Sequence, residues 1–160
     1  MISLVRVDNR LIHGQVVSTW IPHLKIDRVV VVDDEAAGSP LMQAAMTLAL
    51  PPHLQVTIAR RGSVDFAALA ASGERVLVLV RDVAGAEAVI DQAQVPELNL
   101  GNVHFGEGRK PVSPSVFLSQ EEVAALDRIA ARGVRVEARA VPTDNRVGLE
   151  ELRARYRAAS

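Results

Sequence analysis

Short runs of aliphatic, mostly β-branched residues recur at even spacing along the chain. They cover residues 2–7, 28–32, 55–59, 75–80 and 134–138, and weaker candidates cover residues 97–103 and 115–118. These runs are apolar at nearly every position rather than at alternate positions. They therefore predict strands that are buried on both faces of a sheet.

The segments between these runs carry the punctuation of helices. Ser39 followed by Pro40 is typical of a helix start, and Asp82 is placed to cap a helix over residues 83–93. Residues 119–122 read Ser-Gln-Glu-Glu, which is a capping box, and Gly133 ends the amphipathic segment that follows. The pattern thus alternates strand and helix along the whole chain.

This alternation predicts an α/β fold with an open, mostly parallel sheet and helices on both faces. We find no linker, internal repeat or low-complexity tract, so residues 1–160 are expected to form a single domain. In such sheets, ligands bind at the carboxyl ends of the strands. We therefore expect the active site at the carboxyl end of the first strand, where a cluster of charged residues follows the strand.

Composition and charge narrow the possible functions. The chain has no cysteine, so disulfides and thiolate zinc sites are excluded, and no apolar run approaches the roughly 20 residues that span a bilayer. Eighteen basic and 19 acidic residues give a net charge of −1, which provides no overall field for nucleic acid or anionic lipid. We expect a cytoplasmic protein that does not bind nucleic acid and whose basic sites are local.

The first predicted strand leads into a charged segment that reads Arg-Val-Asp-Asn-Arg-Leu-Ile-His-Gly-Gln over residues 6–15. A histidine at the end of a strand can act as nucleophile, acid, base or metal ligand. Here Arg6 and Arg10 precede His13, and they favour an anion over a cation as its guest. A phosphorylated imidazole carries about two negative charges, which arginines and the N–H groups of a helix start disperse. We therefore predict that His13 carries a phosphoryl group.

Two other readings of this segment are weaker. The remaining histidines, His23, His53 and His104, show no pair at the spacing of zinc ligands. No glycine-rich phosphate-binding motif follows any predicted strand, which disfavours a nucleotide as the phosphoryl donor. We therefore expect neither a metal nor a cofactor.

The segment resembles the active-site signature of IIB components in the mannose/fructose/sorbose family of the bacterial sugar phosphotransferase system. The resemblance extends over the whole chain. Beyond the first loop it is carried by the acidic end of the second predicted strand at residues 33–35, by residues 99–105 with 108–110, and by residues 131–134 with 141–144.

The resemblance implies that His13 accepts a phosphoryl group from a phosphorylated IIA partner and donates it to a sugar bound in membrane IIC and IID subunits. It implies a phosphotransferase component with a phosphohistidine intermediate, no cofactor on IIB, transient association with the membrane subunits, and commonly a homodimer. Arg10 and Arg6 are the expected catalytic neighbours. Gly14 and Gln15 are secondary candidates, offering a backbone N–H and a side-chain amide, or they serve only as helix-start residues.

Two positions depart from the family pattern. Where many relatives have a pair of aspartates, this chain has Asp8 and Asn9, and where they have Gly-Gly-Met it has Gly101, Asn102 and Val103. Removing a carboxylate beside a phosphohistidine changes the charge balance of the site. Asp8 and Asn9 are therefore candidates for supporting residues of the site, and their contacts bear on its charge balance.

Several alternatives remain open on the sequence. The chain is a transport phosphocarrier, a regulatory IIB-like phosphoacceptor without a transport role, or a non-catalytic module that binds small anions. Asp34 and His104 are weaker candidates for facing His13, and Arg109 and Lys110 are weaker candidates for partner docking. Trp20, the only tryptophan, is expected in the core.

Overall fold

Seven strands form the central sheet in a computed structural model that describes residues 1–160. In spatial order they are β3 (Gln55–Ala59), β2 (Arg28–Val32), β4 (Val76–Val80), β1 (Ile2–Asp8), β5 (Glu97–Asn102), β8 (Arg135–Ala138) and β9 (Val147–Gly148). All neighbouring pairs are parallel except β8 with β9. The predicted open and mostly parallel sheet is confirmed.

Helices cover both faces of this sheet. They are a π-helical turn over Val16–Trp20 that continues into α1 (Ile21–Leu24), then α2 (Asp34–Ala37), α3 (Pro40–Leu48), α4 (Phe66–Ala71), α5 (Val83–Ile90), α6 (Gln120–Ala131) and α7 (Leu149–Ala158). One apolar core packs the sheet against α4, α5, α6 and α7, and the other packs it against the π-helical turn and α1 to α3. Trp20 lies in the second core, as predicted. No helix has the length and hydrophobicity needed to cross a membrane.

The capping residues act as the sequence predicts. The Ser119 and Glu122 side chains form the reciprocal capping box of α6, and Gly133 follows that helix with a φ of 88°. The side chains of Ser39 and Asp82 accept hydrogen bonds at the starts of α3 and α5. Side-chain acceptors for the first N–H groups thus fix where these helices begin.

The fold differs from the sequence expectation in its small elements. The apolar run at residues 115–118 forms β7 (Val116–Leu118), which pairs with β6 (Lys110–Ser113) in a separate antiparallel hairpin. Helix α5 ends at Ile90, earlier than predicted. The strands β6 and β9 and the helices α4 and α7 have no counterpart in the sequence prediction.

The topology leaves a crevice beside the end of β1. From β1 the chain crosses to β2 on one side of the sheet, whereas from β5 it continues to β8 on the other side. At such a reversal the loops that follow two adjacent parallel strands separate, which opens a binding site at their carboxyl ends. The charged segment after β1 lies at this point.

Candidate functional site

A tight turn follows β1 and directs His13 out of the sheet. The Leu11 N–H donates to the Asp8 carbonyl oxygen at 2.9 Å, and Leu11 adopts the left-handed conformation with a φ of 58°. That conformation costs a non-glycine residue roughly 1–2 kcal/mol, and burying a leucine side chain recovers about that much. A helical turn then begins at Gly14, and the Val17 N–H donates to the His13 carbonyl oxygen at 3.0 Å. His13 therefore immediately precedes a helix start.

Asp8 is the centre of the hydrogen bonds at this turn. Its carboxylate is fully buried. Its Oδ2 accepts from His13 Nε2 at 2.9 Å, Arg6 Nη2 at 3.0 Å and Arg10 Nη2 at 3.1 Å. Its Oδ1 accepts from the Arg10 backbone N–H at 3.0 Å and from Arg10 Nε at 3.1 Å. One carboxylate thus orders the histidine and both arginines.

The hydrogen bond to ionised Asp8 fixes which ring nitrogen of His13 carries the proton. Burial raises the pKa of Asp8, but hydrogen bonds from His13 and Arg10 and the charge of Arg6 outweigh burial and hold this pKa well below its usual range. An ionised carboxylate only accepts hydrogen bonds, so the shared proton is on His13 Nε2. In the neutral ring, Nδ1 then carries the lone pair. The His13 side chain is 17% exposed.

Arg10 lies at the rim of the site, and not all of its N–H groups are used in hydrogen bonds. Its side chain is 43% exposed, and besides bonding Asp8 its Nη2 donates to Gln15 Oε1 at 3.2 Å. Arg10 Nη1 and Gln15 Nε2 donate no hydrogen bond within the chain. The Gln15 amide is oriented by Arg10, which can only donate. Both side chains therefore present N–H groups beside His13.

Arg6 is placed differently from Arg10, although the sequence groups them together. Its side chain is fully buried, and Nη1 donates to Asn99 Oδ1 at 2.6 Å and to the Arg139 carbonyl oxygen at 3.2 Å. Burial lowers the pKa of Arg6 and the Asp8 charge opposes that effect. A side chain on Gly101 would overlap the Arg6 guanidinium. Arg6 therefore lies beneath Asp8, in space left by a glycine.

Asn9 holds the turn against the end of β5. Its side-chain oxygen accepts from Asn102 Nδ2, and its backbone N–H donates to the Asn102 carbonyl oxygen at 3.1 Å. The carbonyl oxygen of Asn9 accepts from Arg81 Nη1 at 3.4 Å. Asn9 and Asn102 are thus in direct contact with each other.

Gly14 stands in open space, because a side chain there would meet no atom within 4 Å. Packing of the chain itself therefore does not require glycine at this position. Gly14 is exposed at the start of the helical turn that follows His13.

The remaining sequence candidates are engaged elsewhere in the fold. Asp34 accepts from the Arg61 N–H at 2.9 Å, while its neighbour Asp33 caps α2 and pairs with Arg81 at 2.8 Å. His104 is exposed, and its side chain forms no hydrogen bond with the site. No group of three or more histidine or carboxylate side chains is arranged to hold a metal ion.

The two cations considered for docking also have partners within the chain. Arg109 forms a two-pronged ion pair with Glu122, at 2.9 and 3.0 Å, which ties the loop after β5 to α6. Lys110 Nζ lies 4.5 Å from the centre of the Tyr156 ring. Both contacts support the packing of the helices.

Three buried polar residues beside the site were not found by sequence reasoning. They are Asn99 on β5, Glu137 on β8 and Arg139 just after β8. The available signal was a polar residue at a buried position of each strand, in register with Arg6 on the same sheet face. That signal is visible at Asn99 and Glu137 only once the strand order is known.

Comparison with known proteins gives one consistent answer. The family described as "PTS system sorbose subfamily IIB component" matches residues 2–159. The N-acetylgalactosamine-specific phosphotransferase enzyme IIB component 1 of Escherichia coli is 30% identical over 91% of this chain and 94% of its own length. The IIB domain of the sorbose permease from Klebsiella pneumoniae superposes with a TM-score of 0.85, covering 96% of this chain and 97% of that one at 25% identity.

Some relatives are longer. The mannose-specific EIIAB component of Escherichia coli is 29% identical over 95% of this chain, and this chain spans 48% of its length. The family match nevertheless covers nearly every residue described above, including the whole segment after β1. The chain therefore belongs to the sorbose subfamily of IIB components of the sugar phosphotransferase system.

Proposed function

We propose that this chain carries a phosphoryl group on Nδ1 of His13, accepts it from a phosphorylated IIA partner, and passes it to a sugar bound by membrane IIC and IID subunits. The observation that supports this most directly is the hydrogen bond between His13 Nε2 and the buried, ionised Asp8. It leaves the lone pair of the neutral ring on Nδ1, which is the nucleophilic form.

In the first step, the Nδ1 lone pair attacks the phosphorus of a phosphohistidine on IIA. The new N–P bond forms as the donor N–P bond breaks, and the bonding electrons return to the donor imidazole. The His13 ring then holds a phosphoryl group on Nδ1 and a proton on Nε2, so it gains positive charge. The Asp8 carboxylate, 2.9 Å away, stabilises that charge.

In the second step, a sugar hydroxyl oxygen attacks the phosphorus and the Nδ1–P bond breaks. Its electrons return to Nδ1, and the hydroxyl proton passes to solvent or to a base of the membrane subunits. The ring leaves as neutral imidazole because Nε2 has kept its proton throughout. Asp8 therefore keeps His13 a good leaving group as well as a nucleophile.

The phosphoryl oxygens need donors outside the ring. Arg10 Nη1 and Gln15 Nε2 are free at the rim, and the first N–H groups of the helical turn after His13 precede its first intrahelical bond. Such donors stabilise an anion without attacking the phosphorus. Arg6 cannot contribute from its buried position, so its role is to hold Asp8.

The test is phosphorylation by a reconstituted cascade with cognate IIA. We expect one acid-labile, alkali-stable phosphate per chain, attached at Nδ1 by phosphorus NMR. His13→Ala should take up no label, whereas His104→Ala, which removes an exposed histidine, should be labelled at the wild-type rate. Labelling of His13→Ala would overturn the assignment. Reversible binding of phosphate without a covalent bond would support an anion-binding module instead.

A further inference from the structure

A chain of buried polar side chains leads away from the Asp8 and His13 pair and crosses three strands. Arg6 Nη1 donates to Asn99 Oδ1 at 2.6 Å, and Asn99 Nδ2 donates to Glu137 Oε1 at 2.9 Å. The other oxygen of Glu137 accepts from Arg139 Nε at 2.9 Å. Every member is at least nine-tenths buried.

Each hydrogen bond in this series of side chains has a fixed donor and a fixed acceptor. Arg6 can only donate and the Glu137 carboxylate can only accept, so Asn99 must turn its oxygen to Arg6 and its amide to Glu137. The Asn99 amide also donates to the Arg139 carbonyl oxygen at 3.2 Å. Flipping the Asn99 amide would place donor against donor and acceptor against acceptor.

The Arg6 guanidinium packs against the ring of Trp20. Arg6 Cζ lies 5.1 Å and Arg139 Cζ 5.2 Å from the centre of the Trp20 ring. Trp20 is held in turn by its Nε1–H, which donates to the Ala140 carbonyl oxygen at 3.0 Å. The guanidinium of Arg6 fills the space that a side chain at position 101 would need, because a Cβ there would overlap Arg6 Cζ.

Stability alone is a poor explanation for this arrangement. Two cations and two carboxylates balance in charge, but burying them costs desolvation, and well-packed apolar residues often serve a core as well or better. The arrangement ends at the reacting imidazole through Asp8 Oδ2, which Arg6 and His13 both contact. Its geometry therefore bears on the histidine.

We infer that Asn99 and Glu137 are positioning residues that hold Arg6, and through Arg6 the Asp8 carboxylate, so that the His13 proton stays on Nε2. The consequence for phosphoryl transfer rests on the proposed function. The effect on the proton itself does not, because it is a property of the unphosphorylated protein.

The test uses two isosteric variants and their combination. Asn99→Asp keeps the acceptor for Arg6 but loses the donor to Glu137, and Glu137→Gln leaves one oxygen for two donors. In the double variant the carboxylate at position 99 accepts from Arg6 and from the new amide at position 137, whose oxygen accepts from Arg139. The net charge is unchanged, and the remaining cost is that a carboxylate oxygen at position 99 faces the Arg139 carbonyl oxygen, to which the Asn99 amide donated.

Nitrogen-15 NMR of unphosphorylated protein at about pH 8, where imidazole is neutral, reports which ring nitrogen carries the proton. We expect His13 to be protonated on Nε2 in the wild type and mixed in each single variant. Each single variant should also take up phosphate roughly tenfold more slowly, and the double variant should return to within about threefold of the wild-type rate. Glu74→Gln, at the Arg28 ion pair near the amino end of β4, is the matched control.

Single variants that melt at lower temperature but keep the wild-type proton position and rate would overturn the inference. So would a double variant that is no better than the singles. Glu137→Asp keeps the negative charge but moves the carboxylate out of reach of Asn99. It therefore gives the same test of the His13 proton and of the uptake rate if one of the other single variants does not fold. A wild-type protein that accepts no phosphate would defeat the proposed function while leaving the NMR test intact.

Discussion

Asp8 Oδ2 and His13 Nε2 are joined by a 2.9 Å hydrogen bond between a fully buried carboxylate and a partly exposed imidazole. The two residues are five positions apart, and the turn closed by Leu11 brings them together. Because the carboxylate is ionised and can only accept, the contact fixes both the orientation and the proton of the ring. This one bond links the fold of the β1 loop to the chemistry expected of it.

The variant Asp8→Asn tests the effect of this hydrogen bond on phosphoryl uptake and on the free energy of unfolding. An amide still reaches His13 but no longer fixes the proton, and it leaves Arg6 buried without its counter-charge. We expect phosphoryl uptake to fall by about two orders of magnitude and the free energy of unfolding to fall by about 3 kcal/mol. Rapid-quench transfer kinetics and urea unfolding measure the two quantities.

Asp33→Asn is the matched control for that variant. Asp33 directly follows the strand β2 and pairs with an arginine, Arg81, but has no contact with His13. It should lose stability and keep the wild-type transfer rate per folded molecule. Equal rates in Asp8→Asn and Asp33→Asn would show that the Asp8 carboxylate has no chemical role.

The main elements of the fold could be predicted because local chemistry fixes them. Apolar runs over β2 and β3 match the observed strands to the residue, and Ser119 with Glu122 marks the start of α6. The two-residue strand β9 carries no periodic pattern, because its pairing with β8 depends on tertiary contacts. Half of the residues of helix α7 are charged, and its apolar contact with the core is centred on the single buried residue Leu152.

The site was predictable in content and only partly in geometry. His13 and its polar neighbours are adjacent in sequence, so their grouping is visible without a structure. The burial of Arg6 is not, because it depends on Asn99, which lies 93 positions later on the neighbouring strand. The contact of Asn9 with Asn102 is hidden for the same reason.

Acid sensitivity should trace to Asp8. Its pKa is lowered in the folded chain, so between the ordinary aspartate pKa of about 3.9 and the lower native value the unfolded chain binds the extra proton. The stabilisation is therefore complete above about pH 5 and is lost progressively as the pH falls below that. We expect the stability difference between wild type and Asp8→Asn to shrink from pH 6 to about pH 3 in urea titrations.

The lowered pKa of Asp33 contributes in the same pH range but is present in both proteins, so it cancels in that difference. A wild-type minus Asp8→Asn difference that is independent of pH would contradict the assignment of acid sensitivity to this residue.

The ring face and the indole N–H of Trp20 should each contribute separately to the free energy of unfolding. Trp20→Phe keeps an aromatic face between Arg6 and Arg139 but loses the hydrogen bond to the Ala140 carbonyl oxygen. We expect it to lower the free energy of unfolding by about 1–2 kcal/mol, and Trp20→Leu to lower it by roughly 1 kcal/mol more. Urea unfolding followed by circular dichroism distinguishes them, and equal losses would argue against stacking of the guanidinium groups.

Arg10 is the residue at which charge and geometry can be separated most cleanly. It is half-exposed at the rim, it binds Asp8 through Nε and Nη2, and its Nη1 is free. A guanidinium offers a fixed fork to two phosphoryl oxygens, whereas lysine concentrates the same charge at one point. If these charge-assisted bonds are worth about 1.5–3 kcal/mol, Arg10→Gln should slow transfer by roughly one to two orders of magnitude, and Arg10→Lys should lose less.

A purely structural role for Arg10, in the ion pair with Asp8, leads to a different expected result. If Arg10 served only that contact, both substitutions would change stability slightly and leave transfer alone, because a pair with one half-exposed partner contributes less than about 1 kcal/mol. Rapid-quench kinetics and thermal melting on the same two variants decide between these roles. The expected result is a graded loss of rate, Gln below Lys below wild type, with nearly equal melting temperatures. Wild-type rates in Arg10→Gln would end the case for contact between Arg10 and the phosphoryl group.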